Sequence, residues 1–136
     1  MTRLFCLALM LFGLGSCGEN SPRVMTPVTF ETFCGRIALS GNPLRANDAD
    51  AARRAADCFV LAFQSCTLTS LTVQEPNNVT RQFSVVRDGS KCVLREAFQA
   101  DANSTPAVVD CKTARVENDA LVIEGCSHLG DFILTP

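Results

Sequence analysis

The chain has 136 residues, and its 12 basic and 14 acidic side chains give a formal net charge of −2. It contains no run of basic residues of the kind that follows a phosphate backbone, which argues against nucleic acid as a partner. Tryptophan and tyrosine are both absent, and this disfavours a glycan-binding site built on stacked aromatic rings. The length fits one domain of common size preceded by a short N-terminal signal.

The N-terminus has the features of an export signal. Arg3 precedes a run from Leu4 to Leu14 that is apolar except for Gly13. A run of about 11 residues is the length of a signal-peptide core, and it falls short of the roughly 20 residues that a membrane-spanning helix needs. Residues 1–16 are therefore predicted to be a signal peptide.

The apolar run ends at Leu14-Gly15-Ser16-Cys17. A leucine three positions before a cysteine, with two small residues between them, resembles the lipobox of bacterial lipoprotein precursors. The resemblance implies cleavage before Cys17, a diacylglyceryl group on its sulfur and an acyl chain on its new amino group. Together with Gly18, rather than aspartate, as the next residue, it implies the outer membrane of a bacterial envelope. The alternative is an ordinary cleaved signal in which Cys17 is incidental.

Residues 17–27 are expected to form the lipidated N-terminus and a flexible tether, because they are polar and contain two prolines. Two or more lipid chains hold a protein stably at a bilayer, so the membrane is the expected partner of Cys17. Residues 28–136 are expected to form a single domain. Its first segment, Val28–Leu39, fits either a strand or a short helix, and the next four residues predict a loop.

One helix is predicted between Asn47 and Cys66. Asn47 is a suitable N-cap, and Asp50 lies in the first turn, where negative charge complements the helix dipole. Apolar residues recur every three or four positions and form one stripe: Ala52, Ala55, Phe59, Ala62, Phe63 and Cys66. In a straight helix Cys58 and Cys66 would be about 12 Å apart along the axis, so each is expected to bond elsewhere.

After Thr67 the apolar period changes to two, which predicts strands. Leu71 and Val73 lie on one face of the first strand. A hairpin of Val79–Arg87 and Ser90–Phe98 is predicted about Asp88-Gly89. This register sets four pairs of residues opposite each other: Val79 with Phe98, Val85 with Cys92, Phe83 with Leu94, and Arg81 with Glu96. The last pair is interpreted as a structural ion pair at the margin of the core.

A second hairpin, of Val108–Glu117 and Ala120–Cys126, is predicted about Asn118-Asp119, and a short strand follows at Asp131–Leu134. The fold class is therefore α+β, with one helix packed on an antiparallel meander sheet of four to five strands and held by disulfides. This architecture is similar to that of cystatin-like folds. The Q-x-V-x-G inhibitory loop of cystatins is absent, so protease inhibition is not implied.

The chain contains eight cysteines. Cys6 lies in the signal peptide and Cys17 is assigned to lipid, which leaves six, an even number that fits three disulfides in an oxidising compartment. Zinc is the alternative. The sequence has no C-x-x-C pair, and His128 is its one histidine, so no metal or other cofactor is expected.

Six cysteines allow 15 pairings, and hairpin register favours one bond among them. With Asn118-Asp119 as the loop, Cys111 lies directly opposite Cys126, within disulfide range. For the remaining four, we expect Cys66–Cys92, which would tie the end of the helix to the first hairpin. We also expect Cys34–Cys58, which would close the segment before the helix onto its flank.

Three functional hypotheses remain from the sequence. The first is a non-catalytic envelope lipoprotein whose domain binds or scaffolds another envelope protein. The second is an inhibitor of a secreted or host enzyme, such as a lysozyme or a protease, with the loops Glu75–Asn78 and Gln99–Pro106 as contact candidates. The third and least favoured is a hydrolase, because Ser127, His128 and Asp131 are the residue types of a catalytic triad but share one tight turn.

Overall fold

The computed structural model describes residues 32–126 and 130–136. The predicted signal peptide, Cys17 and the tether lie outside the described residues. The described chain is α+β, as the sequence predicts, with one α-helix, a six-stranded sheet and a three-stranded sheet. The elements in chain order are β1 (Thr32–Ser40), β2 (Arg45–Ala46), α1 (Ala49–Ser65), β3 (Thr69–Gln74), a 3₁₀ turn (Pro76–Asn78), β4 (Thr80–Asp88), β5 (Lys91–Gln99), β6 (Ala107–Cys111), β7 (Thr113–Glu117), β8 (Ala120–Glu124) and β9 (Phe132–Leu134).

The sheets differ from the single antiparallel meander that the sequence predicts. The larger sheet has the order β2-β1-β3-β4-β5-β6, and the smaller sheet has the order β7-β8-β9. β1 pairs with β3 in parallel, whereas the other pairs in both sheets are antiparallel. Parallel neighbours need a crossover connection, and α1 supplies it. The larger sheet is therefore mixed.

An irregularity in β1 explains why its type was ambiguous in the sequence. The pairing of β1 with β3 shifts between Phe33 and Gly35, so Cys34 is an extra residue in the strand. Gly35 has φ +127°, a backbone conformation that L side chains rarely adopt. The extra residue interrupts the period of two from which a strand is recognised.

The helix packs through the predicted apolar stripe but begins one residue later than predicted. Asp48, not Asn47, is the N-cap, and its Oδ1 accepts a hydrogen bond from the backbone N–H of Ala51 at 2.9 Å. The N–H of Asn47 instead donates to Ala38 O at 2.9 Å, which ties the residue to β1. The helix ends at Ser65, and Cys66 follows in the left-handed conformation with φ 53°.

The first hairpin forms, but its loop is Gly89-Ser90 rather than Asp88-Gly89. β4 and β5 pair with Asp88 opposite Lys91, and Gly89 has φ +61°. Glycine at the first of two loop positions is the pattern of a type II′ turn. The shift moves each pairing by two residues, so the faces stay as predicted while the partners change: Val85 lies opposite Leu94, Phe83 opposite Glu96 and Arg81 opposite Phe98.

The second hairpin has the predicted loop, and Asn118 and Asp119 both have positive φ, at 49° and 63°. The predicted strand Val108–Glu117 is divided at Lys112, however. Its first half is β6, which pairs with β5, and its second half is β7, which pairs with β8. The chain thus passes directly from the larger sheet into the smaller one.

Apolar residues from α1 and from both sheets form one core. Phe83 of β4 lies at its centre, with its ring centroid 6.5 Å from that of Phe59 in α1 and 4.8 Å from that of Phe132 in β9. The backbone N–H of Ala46 donates to Thr135 O at 3.0 Å, which brings β2 and the end of β9 together. Among the described residues, no helix has the length and apolar character needed to cross a membrane.

Candidate functional site

The two loops that the sequence singles out as contact candidates emerge side by side at one end of the larger sheet. The first joins β3 to β4, and its flanking residues Gln74 and Thr80 are paired. Thr80 is also paired with Gln99, after which the second loop leads to β6. Strand register alone therefore brings Glu75–Asn78 next to Gln99–Pro106. We call this surface the two-loop end.

The first loop has a defined backbone conformation. The N–H of Glu75 donates to Val79 O at 2.9 Å, which closes the loop across its base. Asn77 and Asn78 have φ of 64° and 63°, in the left-handed region that asparagine enters more readily than most residues. The exposed asparagines are thus presented on a tight and specific turn.

The second loop is held by its own polar side chains. Oδ1 of Asp101 accepts a hydrogen bond from the N–H of Asn103 at 2.8 Å, and Ser104 Oγ donates to Asp101 O at 3.0 Å. Nε2 of Gln99 donates to Ser104 O at 3.0 Å. Such aspartate and serine bonds fix a turn locally. Both loops therefore have the pre-organisation that lowers the entropic cost of binding.

Arg81 connects the first loop to the core. Its Nε lies 2.6 Å from Glu75 Oε1, and its Nη1 lies 2.8 Å from Glu96 Oε1. The guanidinium carbon is also 5.0 Å and 5.4 Å from the ring centroids of Phe98 and Phe132, within cation–π range. A single side chain thus positions the start of the loop relative to both sheets.

The predicted ion pair between Arg81 and Glu96 forms, but Glu96 lies deeper in the protein than the sequence predicts. It was expected at the margin of the core, but its side chain is fully buried, with 0% exposure. Its Oε2 has no hydrogen-bond partner among the described residues. A glutamate between Leu94 and Phe98 on an inward face was the available signal, because that alternation predicts burial whatever the residue type.

Glu96 lies beside two cysteines, and the group offers no ready metal centre. Its carboxylate and the sulfurs of Cys111 and Cys126 lie within 4.8 Å of one another. The two sulfurs are joined in a disulfide, so one carboxylate oxygen is left as a ligand. Structural zinc in proteins generally has four protein ligands, and this group does not provide them.

The six cysteines form three disulfides, joined in the expected pairs. Cys34 bonds to Cys58, which fastens β1 to α1, and Cys66 bonds to Cys92, which fastens the end of α1 to β5. Cys111 bonds to Cys126, with Cα atoms 4.2 Å apart, and this bond links the end of β6 to the segment after β8. The helix and both sheets are thereby covalently connected.

Of the triad types considered in the sequence, only Asp131 lies among the described residues. Ser127 and His128 lie outside the described residues. Asp131 has an ordinary structural role, since its Oδ1 accepts a hydrogen bond from the N–H of Gly125 at 3.0 Å. This bond stabilises the start of the connection between β8 and β9.

A groove between α1 and β7 was not anticipated from the sequence. Its volume is about 480 Å³, and it is lined by Asp57, Val60, Leu61 and Gln64 of the helix and by Arg115 and Val116 of β7. Leu61 and Val116 are 64% and 40% exposed. Leu61 lies on the helix flank beside the core-facing stripe, and nothing in the sequence pairs that flank with β7.

The described residues form a small α+β domain with three internal disulfides and two adjacent, locally fixed loops. Comparison of the chain with protein-family models, curated proteins and solved structures finds no match.

Proposed function

We propose that the protein is a lipoprotein of the bacterial envelope, anchored through Cys17, whose domain binds or scaffolds another envelope protein without catalysing a reaction. The anchor is proposed from the lipobox sequence Leu14-Gly15-Ser16-Cys17. The binding role is proposed from the two-loop end. Rigid, exposed loops carried by a covalently reinforced domain suit recognition of a protein surface.

The observation that carries the binding proposal is the adjacency of the two loops. Thr80 pairs with both Gln74 and Gln99, so both loops can reach the same partner. The exposed side chains there are polar or small, and include Asn77, Asp101 and Asn103. A partner surface rich in hydrogen-bonding groups is the complement of such loops.

Site-specific photocrosslinking in intact cells tests the binding role. A photoreactive residue at Asn77 or at Asn103 should each yield an adduct with the same partner protein. Ser90 is a matched control, because it lies in the β4–β5 loop at the opposite end of the same strands. Adducts that form equally well from Ser90, or that differ between Asn77 and Asn103, would contradict a shared two-loop surface.

The alternative is an inhibitor of a secreted or host enzyme, such as a lysozyme or a protease, and the same two loops favour it. Titration of each enzyme with the purified full chain tests this function. An inhibitor should abolish activity at an equimolar ratio, and Asn77→Ala and Asn103→Ala should weaken inhibition while Ser90→Ala leaves it unchanged. Absence of inhibition across both enzyme classes would leave the scaffolding role as the better proposal.

A further inference from the structure

The groove between α1 and β7 lies at a free sheet edge. In the described structure β7 pairs with β8 on one side and with no strand on the other. The groove is lined by β7 and by α1, and by no residue of β8 or β9, so it lies at the unpaired edge. An unpaired edge presents backbone N–H and C=O groups that can pair with a further strand.

The helix side of the groove is long enough for a short strand. A smaller depression lined by Arg53, Ala56, Asp57, Val116 and Asp119 continues the groove toward the start of α1. The helix rises by about 1.5 Å per residue, so its length from Arg53 to Gln64 is about 17 Å. An extended chain at about 3.3 Å per residue covers this length with about five residues.

Some charged side chains of the groove have ion-pair partners and others do not. Arg115 forms ion pairs with Glu124 and Glu117, at 2.6 Å and 3.0 Å. Its hydrogen bond to Glu124, followed by its hydrogen bond to Glu117, raises the pKa of Arg115. The side-chain carboxylates of Asp57 and Asp119, by contrast, form no salt bridge with the residues that the structure describes. Arg53 lines the same end of the groove but is paired with Asp50 at 3.0 Å, so the carboxylates of Asp57 and Asp119 leave this end acidic.

We propose that this groove binds an extended segment of a partner protein, about five residues long, that adds a strand to the free edge of β7. The segment is apolar where it meets Leu61 and Val116, and carries a lysine or arginine where it meets Asp57 and Asp119. Main-chain pairing supplies affinity in this mode, and the side chains supply selectivity. The site is separate from the two-loop end and stands independently of the function proposed for it.

The test uses the purified full chain and a defined probe. The probe is a fluorescent, capped heptapeptide of alternating threonine and valine with a lysine at each end, and binding is measured by fluorescence anisotropy. The same peptide with glutamate in place of both lysines should bind more weakly. Two further versions carry N-methyl groups on either the threonine or the valine nitrogens, and one of the two must fail to bind if the peptide pairs with β7.

Variants locate the binding. Leu61→Ser should weaken it by about tenfold, since it removes most of an apolar contact. Asp57→Asn should weaken it by about twofold to fivefold, as expected for an exposed ion pair. Leu44→Ser and Asp88→Asn change exposed residues outside the groove and should have no effect, and nor should Asn77→Ala at the two-loop end.

Three results would overturn the proposal. The first is no binding of the lysine probe, and the second is equal binding of both N-methylated versions, which would exclude strand addition. The third is self-association of the chain that Leu61→Ser abolishes and that the probe does not reverse. In that case the groove would be occupied by a second copy of the protein rather than by a basic segment of a partner.

Discussion

Glu96 lies inside the core of this protein with Oε1 at 2.8 Å from Nη1 of Arg81. The pair is unequal, because the carboxylate is fully buried while the arginine side chain is 16% exposed and also contacts Glu75. A buried ion pair need not stabilise a fold relative to apolar residues, but removing one partner leaves an uncompensated charge. Arg81 therefore links the core, through Glu96, to the first loop, through Glu75.

Arg81→Ala should lower the free energy of unfolding by about 3–5 kcal/mol, because it leaves the buried carboxylate of Glu96 without its ion-pair partner. Urea denaturation followed by circular dichroism measures the loss. Arg95→Ala is the matched control, since Arg95 also pairs with a carboxylate, that of Asp110 at 2.8 Å, but both partners are substantially exposed. That change should cost about 0–1 kcal/mol. Equal losses in the two variants would contradict the assignment of Glu96 to the core.

Asp48→Ala should destabilise the protein by about 1 kcal/mol through loss of the hydrogen bond that caps α1. Asn47→Ala tests the alternative cap next to it; it removes only an exposed hydrogen bond from Ser40 Oγ to Asn47 Oδ1 and should cost less than Asp48→Ala. The two variants are compared by their urea midpoints. A larger effect of Asn47→Ala would mean that the helix begins where the sequence pattern placed it.

Replacing both Cys111 and Cys126 by serine should cost about 3 kcal/mol in the chain-entropy description of disulfides. The loss of stability should also be greatest in the smaller sheet. Because this bond links the two sheets, amide hydrogen exchange should accelerate more in β7–β9 than in β3–β5. The matched double variant at Cys34 and Cys58 should instead accelerate exchange in β1 and α1. Identical exchange patterns in the two double variants would contradict the separate positions of the two bridges.

The parts of the fold that sequence predicts well are those set by local chemistry. Asn118-Asp119 specifies its own turn, and the register that follows from it predicted the Cys111–Cys126 bond, although Cys111 itself lies in β6 opposite Leu94 of β5. The apolar stripe of α1 likewise follows from its period. These features depend on neighbouring residues in the chain, and a single sequence contains that information.

The parts that were missed depend on contacts distant in sequence. The extra residue at Cys34, next to Gly35, hides the strand character of β1, and its parallel pairing with β3 follows from how α1 crosses the sheet. The break at Lys112 depends on β6 and β7 having different partner strands. The burial of Glu96 depends on β9, whose Phe132 helps to enclose Arg81. Apart from the alternation of Leu94, Glu96 and Phe98 along β5, none of these relations leaves a local pattern.

The candidate loops likewise combine features that local sequence predicts with a feature that depends on distant contacts. Each loop is recognisable from its own polar residues, and each was singled out in the sequence. That they meet at one end of the sheet follows from the pairing of Thr80 with Gln99. The predicted register set Val79 opposite Phe98, a neighbouring pair, so a register error of two residues did not move the loops apart.

The proposal that the protein is anchored by lipid at Cys17 and reinforced by three disulfides can be tested by intact mass. The protein is extracted from cell membranes, and its mass is measured before and after reduction. We expect a polypeptide that begins at Cys17, carries the added mass of a diacylglyceryl group and an acyl chain, and gains two hydrogens for each of three disulfides on reduction. Cys17→Ser should abolish the lipid mass and release the protein from the membrane fraction. An unlipidated chain that starts at another residue would contradict the anchor at Cys17, and a mass that reduction leaves unchanged would contradict the three disulfides.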